Sequence, residues 1–148
     1  MISPERLRRY AHCAGASDEL LKKVAMLAAE KTFDAGERLF EEGKPARQLL
    51  MLESGSVDIV HRLGSGKDVI VDTLVGGDLL AWSALLEPYL LTASGVGREA
   101  GRLIAIDGEG MRQLCKENPE YGLTMMTEVA KTLRARLEGT RVQLAAAS

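Results

Sequence analysis

Hydrophobic and polar positions change their period twice along the chain. Apolar residues first recur at Leu20, Leu21, Val24, Leu27 and Ala28, the spacing of one buried helical face. Ser17 precedes Asp18 and Glu19 as a capping hydroxyl, so a helix is predicted over 18–30. A shorter helix precedes it, because Ser3-Pro4-Glu5 offers a cap followed by proline at the first helical position. From there the period falls to two. Val57, Ile59, His61 and Leu63 alternate with Asp58, Val60 and Arg62, and Val69, Val71 and Thr73 alternate with Ile70, Asp72 and Leu74. These are strands, with Gly64-Ser65-Gly66-Lys67 as their hairpin loop and Ser54-Gly55-Ser56 as the turn of the hairpin before.

Further strands are predicted near 32–34, 38–41, 48–53, 91–97 and 102–106. Ten of the fifteen glycines lie between Gly36 and Gly101, and turn signals at such close intervals mark a compact all-β unit. The predicted fold is therefore mainly β with flanking α. Eight short antiparallel strands form a double-stranded β-helix or jelly-roll barrel, with N-terminal helices and a long C-terminal helix.

Helical spacing returns in the last third. Asp107 caps a segment reaching about Lys116, and Asn118-Pro119-Glu120 supplies a cap, a first-turn proline and an early acid for the final helix. Along it Leu123, Met126, Ala130, Leu133, Leu137, Thr140 and Leu144 are separated alternately by three and four residues, the stripe of a coiled-coil seam. The first half carries a second stripe, Gly122, Met125 and Val129. A wide apolar face fits packing on the parent domain, and a narrow seam fits pairing with another helix. The seam is thus the expected homodimer interface, although Gly139 weakens the helix by ~1 kcal/mol. The alternative is a helix that packs only on its own domain. The chain divides into a helical segment at 1–31, a barrel at 32–107 with a short helix near 79–86, and C-terminal helices at 108–148, of which 119–146 is the dimerisation helix. Together they make one domain.

Composition narrows the function. A chain of 148 residues with a net charge of −2 matches one domain, and residues 33–115 carry 8 basic against 13 acidic side chains. Direct DNA binding is not expected from such a surface. No run is long and apolar enough to cross a membrane, and the start lacks the apolar segment of a secretory signal, so a cytoplasmic protein is expected. Cys13 and Cys115 are too far apart for a metal pair and read as free thiols. His12 and His61 have no second ligand three or four residues away, and His61, on the apolar side of its strand, reads as a core or rim histidine. Glu41 and Glu42 would point to opposite faces of a strand. With no nucleophile elbow or Walker loop, neither a catalytic site nor a metal site is expected.

Several stretches carry a resemblance. Phe33-Asp34-Ala35-Gly36-Glu37-Arg38-Leu39-Phe40-Glu41-Glu42-Gly43, then Leu52-Glu53-Ser54-Gly55-Ser56-Val57, then Gly76-Gly77-Asp78 resemble in order the opening strand pair, the next hairpin and the cassette entrance of the cyclic-nucleotide-binding domain in the Crp/Fnr family. The resemblance covers about Leu20 to Leu137. It implies that a short helix start, an arginine and a glutamate bind the phosphate and ribose hydroxyl of a cyclic nucleotide. In that frame the cassette reads Gly77-Asp78-Leu79-Leu80-Ala81-Trp82-Ser83-Ala84-Leu85 and then Leu91-Thr92-Ala93. Ala81 stands where glycine is expected, Trp82 where glutamate is, and Leu91 where arginine is. Losing two charge-assisted contacts costs ~3–6 kcal/mol, or about two to four orders of magnitude in affinity. Trp82-Ser83 with Pro88-Tyr89 is also similar to a group of short bacterial members of the superfamily.

The expected pocket is lined by Leu80, Trp82, Tyr89 and Leu91. Ser83 and Thr92 are available for hydrogen bonds, and Ala81, Ala84 and Ala93 complete the candidate site. Trp82 either fills the nucleotide's space or borders a pocket for a neutral or flat aromatic ligand; Lys67, Arg98 and Arg102 are the nearest replacement cations. The leading expectation is a dimeric, allosteric sensor or regulatory module with a non-standard or lost cyclic nucleotide site; no cofactor is certain, and a cyclic nucleotide or another small ligand is the candidate. The alternatives are a fragment of a transcription regulator that binds cAMP or cGMP weakly, and a ligand-free adaptor with a protein partner.

Overall fold

The computed structural model describes residues 2–147. Helix α1 (Pro4–Leu7) starts where Ser3 Oγ accepts the Glu5 N–H, and α2 (Asp18–Met26) starts where Ser17 Oγ accepts from Leu20. α2 stops short of the predicted 30. Leu27 ends the helix, and Ala28–Phe33 becomes strand β1, paired antiparallel with the last strand from Ala28 opposite Ile106 to Phe33 opposite Gly101. The apolar spacing of Leu27 and Ala28 is compatible with both structures, and the free edge of the sheet decides between them.

Six strands make the sheet rather than eight: β1, β2 (Arg38–Phe40), β3 (Gln48–Arg62), β4 (Asp68–Leu74), β5 (Leu79–Leu80) and β6 (Ser94–Asp107). The main path runs β1-β6-β3-β4, with β2 also on β6 and β5 on β3. The seven strands placed by range become five, because two expected pairs are each one long strand, and β5 adds a sixth at the start of the short helix expected near 79–86, of which only Trp82–Leu85 is helical. Ser54-Gly55-Ser56 is not a turn; β3 runs through it, with its register against β6 shifting between Leu52 and Val57. Gly55 has φ +81°, and a Cβ there would meet the Ala100 carbonyl oxygen at 2.6 Å. A bulge at this glycine bends the strand without ending it.

The sheet closes as a jelly-roll with two apolar compartments, and the alternation of β3 and β6 assigns residues to each. Leu50, Leu52, Leu103 and Ala105 point into the barrel with Phe33, Ile59, Leu74 and Leu80. Leu49, Met51, Ile104 and Ile106 face outward onto the helices, joining Leu7, Leu21, Met111, Leu114, Met125 and Val129. Helix α3 (Gly108–Glu117) is capped by Asp107, whose Oδ2 accepts the Gly110 N–H at 2.8 Å. Asn118 does not cap α4 (Pro119–Ala146) as expected; its side chain donates back to the Leu114 carbonyl at 3.1 Å.

α4 buries Tyr121, Gly122, Met125 and Val129 against its own domain. The seam residues Leu123, Met126, Ala130, Leu137, Thr140 and Leu144 are exposed, and Leu133 is half-buried against the helical core. Beyond Leu133 the helix lies along β4, where Arg136 meets Asp72 at 3.5 Å and the Gln143 amide donates to the Val71 carbonyl at 3.2 Å. Among the described residues no helix is long and apolar enough to cross a membrane, and Cys13 and Cys115 are free thiols. His61 is an exposed rim residue whose Nδ1 lies 3.2 Å from Glu42 Oε1.

Candidate functional site

The site is built where two loops far apart in sequence pair like a short ladder. Gly43 N–H donates to the Leu91 carbonyl (2.8 Å), Leu91 N–H to the Lys44 carbonyl (2.9 Å), and Ala46 N–H to the Tyr89 carbonyl (2.8 Å). These bonds fix Leu91 against Ala46 and Ala84 in a small buried cluster, with Phe40 and Ala81 packed on it. Beside this cluster an open cavity of about 330 Å³ enters the barrel wall. Its floor is apolar: Leu39, Phe40, Leu50, Ala81, Leu91 and Leu103. Its lip carries Lys31, Arg38, Lys44 and Arg47 against Glu37 and Glu41.

Of the nine cassette residues expected at the site, the structure places only Ala81 and Leu91 on this cavity. Leu80 is buried in the barrel and Ala93 packs against that interior. Trp82 turns the other way and packs on the helical core, so it neither borders the cavity nor fills it. The reversal has a local cause. Ala81 sits in the left-handed region at φ 53°, and the chain then enters a 3₁₀ turn, Trp82–Leu85, so the side chains after Ala81 leave the strand's alternation. Ser83 and Ala84 are buried in that turn, and Thr92 is exposed. Tyr89 lies under the Arg112 guanidinium, 4.1 Å from its ring centroid, and the same Arg112 donates to the Ala84 carbonyl at 2.6 Å.

The cations named from sequence position are elsewhere. Arg98 faces Asp58 at 3.5 Å, Arg102 faces Glu53 at 3.2 Å, and Lys67 does not line the cavity. The cations that do line it were not singled out by sequence. Lys31 bonds Gln48 at 2.8 Å, and Arg38 lies 3.8 Å from Asp68. Lys44 and Arg47 make no side-chain hydrogen bond or ion pair among the described residues. The signal that points to them is the Gly43–Leu91 ladder, which joins positions more than forty residues apart.

A second polar centre ties the helices to the bulged strands. Arg6 donates to Glu53 Oε1 at 2.6 Å and to Glu30 Oε1 at 2.8 Å, and that hydrogen bond holds the Glu53 carboxyl below its usual range despite its burial. Among the described residues no group of three His, Cys, Asp or Glu side chains gathers to hold a metal ion.

The family model named cyclic nucleotide-binding domain matches residues 30–118. A candidate cyclic nucleotide-binding protein from Geobacter metallireducens GS-15 shares this fold at a TM-score of 0.81, with 34% identity over 93% of this chain and 99% of that one. The chain belongs to the cyclic nucleotide-binding domain family. A CRP-like cAMP-activated global transcriptional regulator from Mycobacterium tuberculosis is 24% identical over 102 residues, 69% of this chain. The chain spans about half the length of that relative, 46%. A mutant regulatory subunit of a cAMP-independent protein kinase A from Trypanosoma brucei, bound to cAMP in its A site, shares the cyclic nucleotide-binding domain fold at a TM-score of 0.78 and 16% identity, over 95% of this chain and 49% of that one. In this cyclic nucleotide-binding domain, residues 76–93 contain two acids, Asp78 and Glu87, and no Lys, Arg or His. Asp78 is occupied within its own turn, accepting the Val75 N–H at 2.9 Å.

Proposed function

We propose that the chain is a regulatory module of the cyclic nucleotide-binding type whose cassette does not hold a cyclic nucleotide in the family's manner. One observation carries the reading: Leu91, at the position where the family resemblance implies arginine, is an 8% exposed apolar side chain on the cavity wall, and the cassette stretch around it holds no cation. A cyclic phosphate laid against that stretch would give up water for no charge-assisted partner, each such bond being worth ~1.5–3 kcal/mol. The Trypanosoma relative supports the reading in kind. It is named cAMP-independent, and the form bound to cAMP carries three substitutions.

Regulation in this reading passes through the 3₁₀ turn. Trp82 fastens the turn to the helical core, and Arg112 fastens it to α3, so a displacement of the turn re-poses α3 and α4. The module works as a homodimer through the exposed seam of α4, in the cytoplasm, where its two free thiols stay reduced.

Isothermal titration calorimetry with cAMP and with cGMP tests the proposal. The wild-type chain is expected to give no saturable heat up to about 100 μM nucleotide, and Leu91→Arg is expected to bind at least tenfold more tightly than wild type, the equivalent of ~1.4 kcal/mol. Saturable micromolar binding to the wild-type chain would overturn the reading.

A further inference from the structure

The cavity under the Gly43–Leu91 ladder has a ligand chemistry of its own. Its floor is built from Leu39, Phe40, Leu50, Leu91 and Leu103, and none of these offers a polar side chain to a ligand. Every charged group lies at the lip, and there the balance is four cations to two acids. Three of these six already have partners: Lys31 on Gln48, Arg38 on Asp68, and Glu37, whose Oε1 accepts the Asp34 N–H at 3.2 Å. Glu41, Lys44 and Arg47 remain, all exposed, a net charge of +1; the two cations stand three positions apart on either side of the buried Ala46. A volume of about 330 Å³ is at the small end of ligand sites, enough for one small molecule and too little for a peptide.

From this arrangement we propose that the cavity is a binding site for a small amphipathic organic anion, with a flat apolar body on the Phe40–Leu50–Leu103 floor and a carboxylate or phosphate head at Lys44 and Arg47. A neutral flat molecule would fill the floor and leave the cationic lip unused, and a bare inorganic anion would leave the floor wet. Only a molecule with both parts satisfies both regions. The lip cations are solvent-exposed, so their share of the binding is screened as salt rises.

This site deepens the cassette reading and rests on it, because Ala81 and Leu91 of residues 76–93 line the cavity, while its head-group residues lie on the 44–47 loop outside that stretch. Leu91 belongs to the cavity floor and to the Ala46–Ala84 cluster, and the Arg47 carbonyl accepts the N–H of Gly108, the first residue of α3, at 2.9 Å. Space there is tight, since a Cβ on Gly108 would meet the Arg47 oxygen at 2.9 Å and the Ala84 Cβ at 3.1 Å. A ligand that shifts the 44–47 loop therefore pushes directly on the start of α3.

The test is calorimetry of the full chain with 2-naphthoate, 2-naphthyl phosphate and the neutral 2-naphthamide, on wild type and on Lys44→Glu/Arg47→Glu. At least one anion is expected to saturate at one site per chain below about 1 mM and to bind at least tenfold more tightly than the amide; the tighter anion names the head group. The double variant, altered at two exposed side chains, is expected to melt as wild type does, to lose at least tenfold for the anion and to keep its affinity for the amide. No saturation by either anion, equal binding of anion and amide, or an unchanged anion affinity in the double variant would each overturn the proposal. Failure here leaves the cyclic nucleotide titrations of wild type and Leu91→Arg unaffected, so failure of this site and failure of the cassette reading are distinguishable.

Discussion

His12 is 2% exposed, between the rings of Tyr10 at 6.3 Å and Tyr121 at 6.5 Å, and its Nε2 has no hydrogen-bond partner among the described residues. Burial pushes its pKa down to about 4, with Glu128 pulling weakly in the opposite direction. An ordinary histidine in the unfolded chain takes its proton near pH 6.5. Between those values the unfolded state binds more protons than the folded one, so stability falls with falling pH. The stabilisation is complete above about pH 6.5 and is lost as the pH falls to about 4, by up to ~3 kcal/mol. Glu53, whose carboxyl is held low by Arg6, loses its own contribution below the ordinary carboxylate range, so the window from about 4.5 to 6.5 isolates the histidine. Urea melts across that window are expected to show the slope in wild type and not in His12→Gln. An equal slope in the variant would assign it to other groups. His12 gave no such signal in the sequence, because its burial comes from α4 and the helical core, while its neighbours Tyr10 and Cys13 are compatible with a surface turn. Leu91 was legible as an apolar residue where the resemblance implies arginine, since that comparison needs no structure. The direction of Trp82 was not, because it is set by the left-handed Ala81 and the 3₁₀ turn behind it.

At the scale of elements, the caps and hairpins that depend on near neighbours were readable: Ser3, Ser17 and Asp107 each receive the expected backbone N–H, and Leu63 N–H donates to the Lys67 carbonyl across the Gly64–Gly66 loop. What failed was the continuity of β3 and β6. Ser54-Gly55-Ser56 has the composition of a turn and the function of a bulge, and only the pairing with β6 separates the two. Gly101 closes the same place from the other side, because a Cβ there would collide with the Ser54 carbonyl. The two glycines let the strands cross at the bend with no side chain between them. Gly55→Ala must therefore place a Cβ at φ +81° and within 2.7 Å of two carbonyl oxygens, those of Ala100 and Glu99. The expected cost is about 2–4 kcal/mol in chemical denaturation. Gly64→Ala, a glycine with ordinary φ and open space around its Cβ, is expected to change stability by less than about 0.5 kcal/mol and serves as the control. Similar losses in both variants would mean that the bend is not the constraint.

At the scale of the whole molecule, the last helix carries apolar residues that the core does not use. α4 turns Met125 and Val129 inward at 0% and 1% exposure, while Leu123 is 71% exposed and Leu137 50%. The rotation of the helix is not free, because Arg136 and Gln143 hold its second half to β4 through Asp72 and the Val71 carbonyl. With those contacts in place Leu123 and Leu137 stay exposed, and they are the residues a proposed homodimer would bury. Burying one such leucine contributes ~1.5–3 kcal/mol, and in a two-fold pair each position counts twice. Two leucines then contribute ~6–12 kcal/mol before an association cost of ~4–15 kcal/mol, so a micromolar dimer also draws on the exposed Met126 and Ala130 of the seam. Leu133, half-buried on the parent domain, is not available to the pair in the same degree, so the contact rests on the residues before and after it. Sedimentation equilibrium at about 50 μM is expected to show a dimer for wild type and a monomer for Leu123→Asp/Leu137→Asp, with both melting cooperatively because neither side chain supports the core. A wild-type chain that remains monomeric would remove the dimer from the proposed mechanism, and the α3 and α4 movements would then have to act on a different partner.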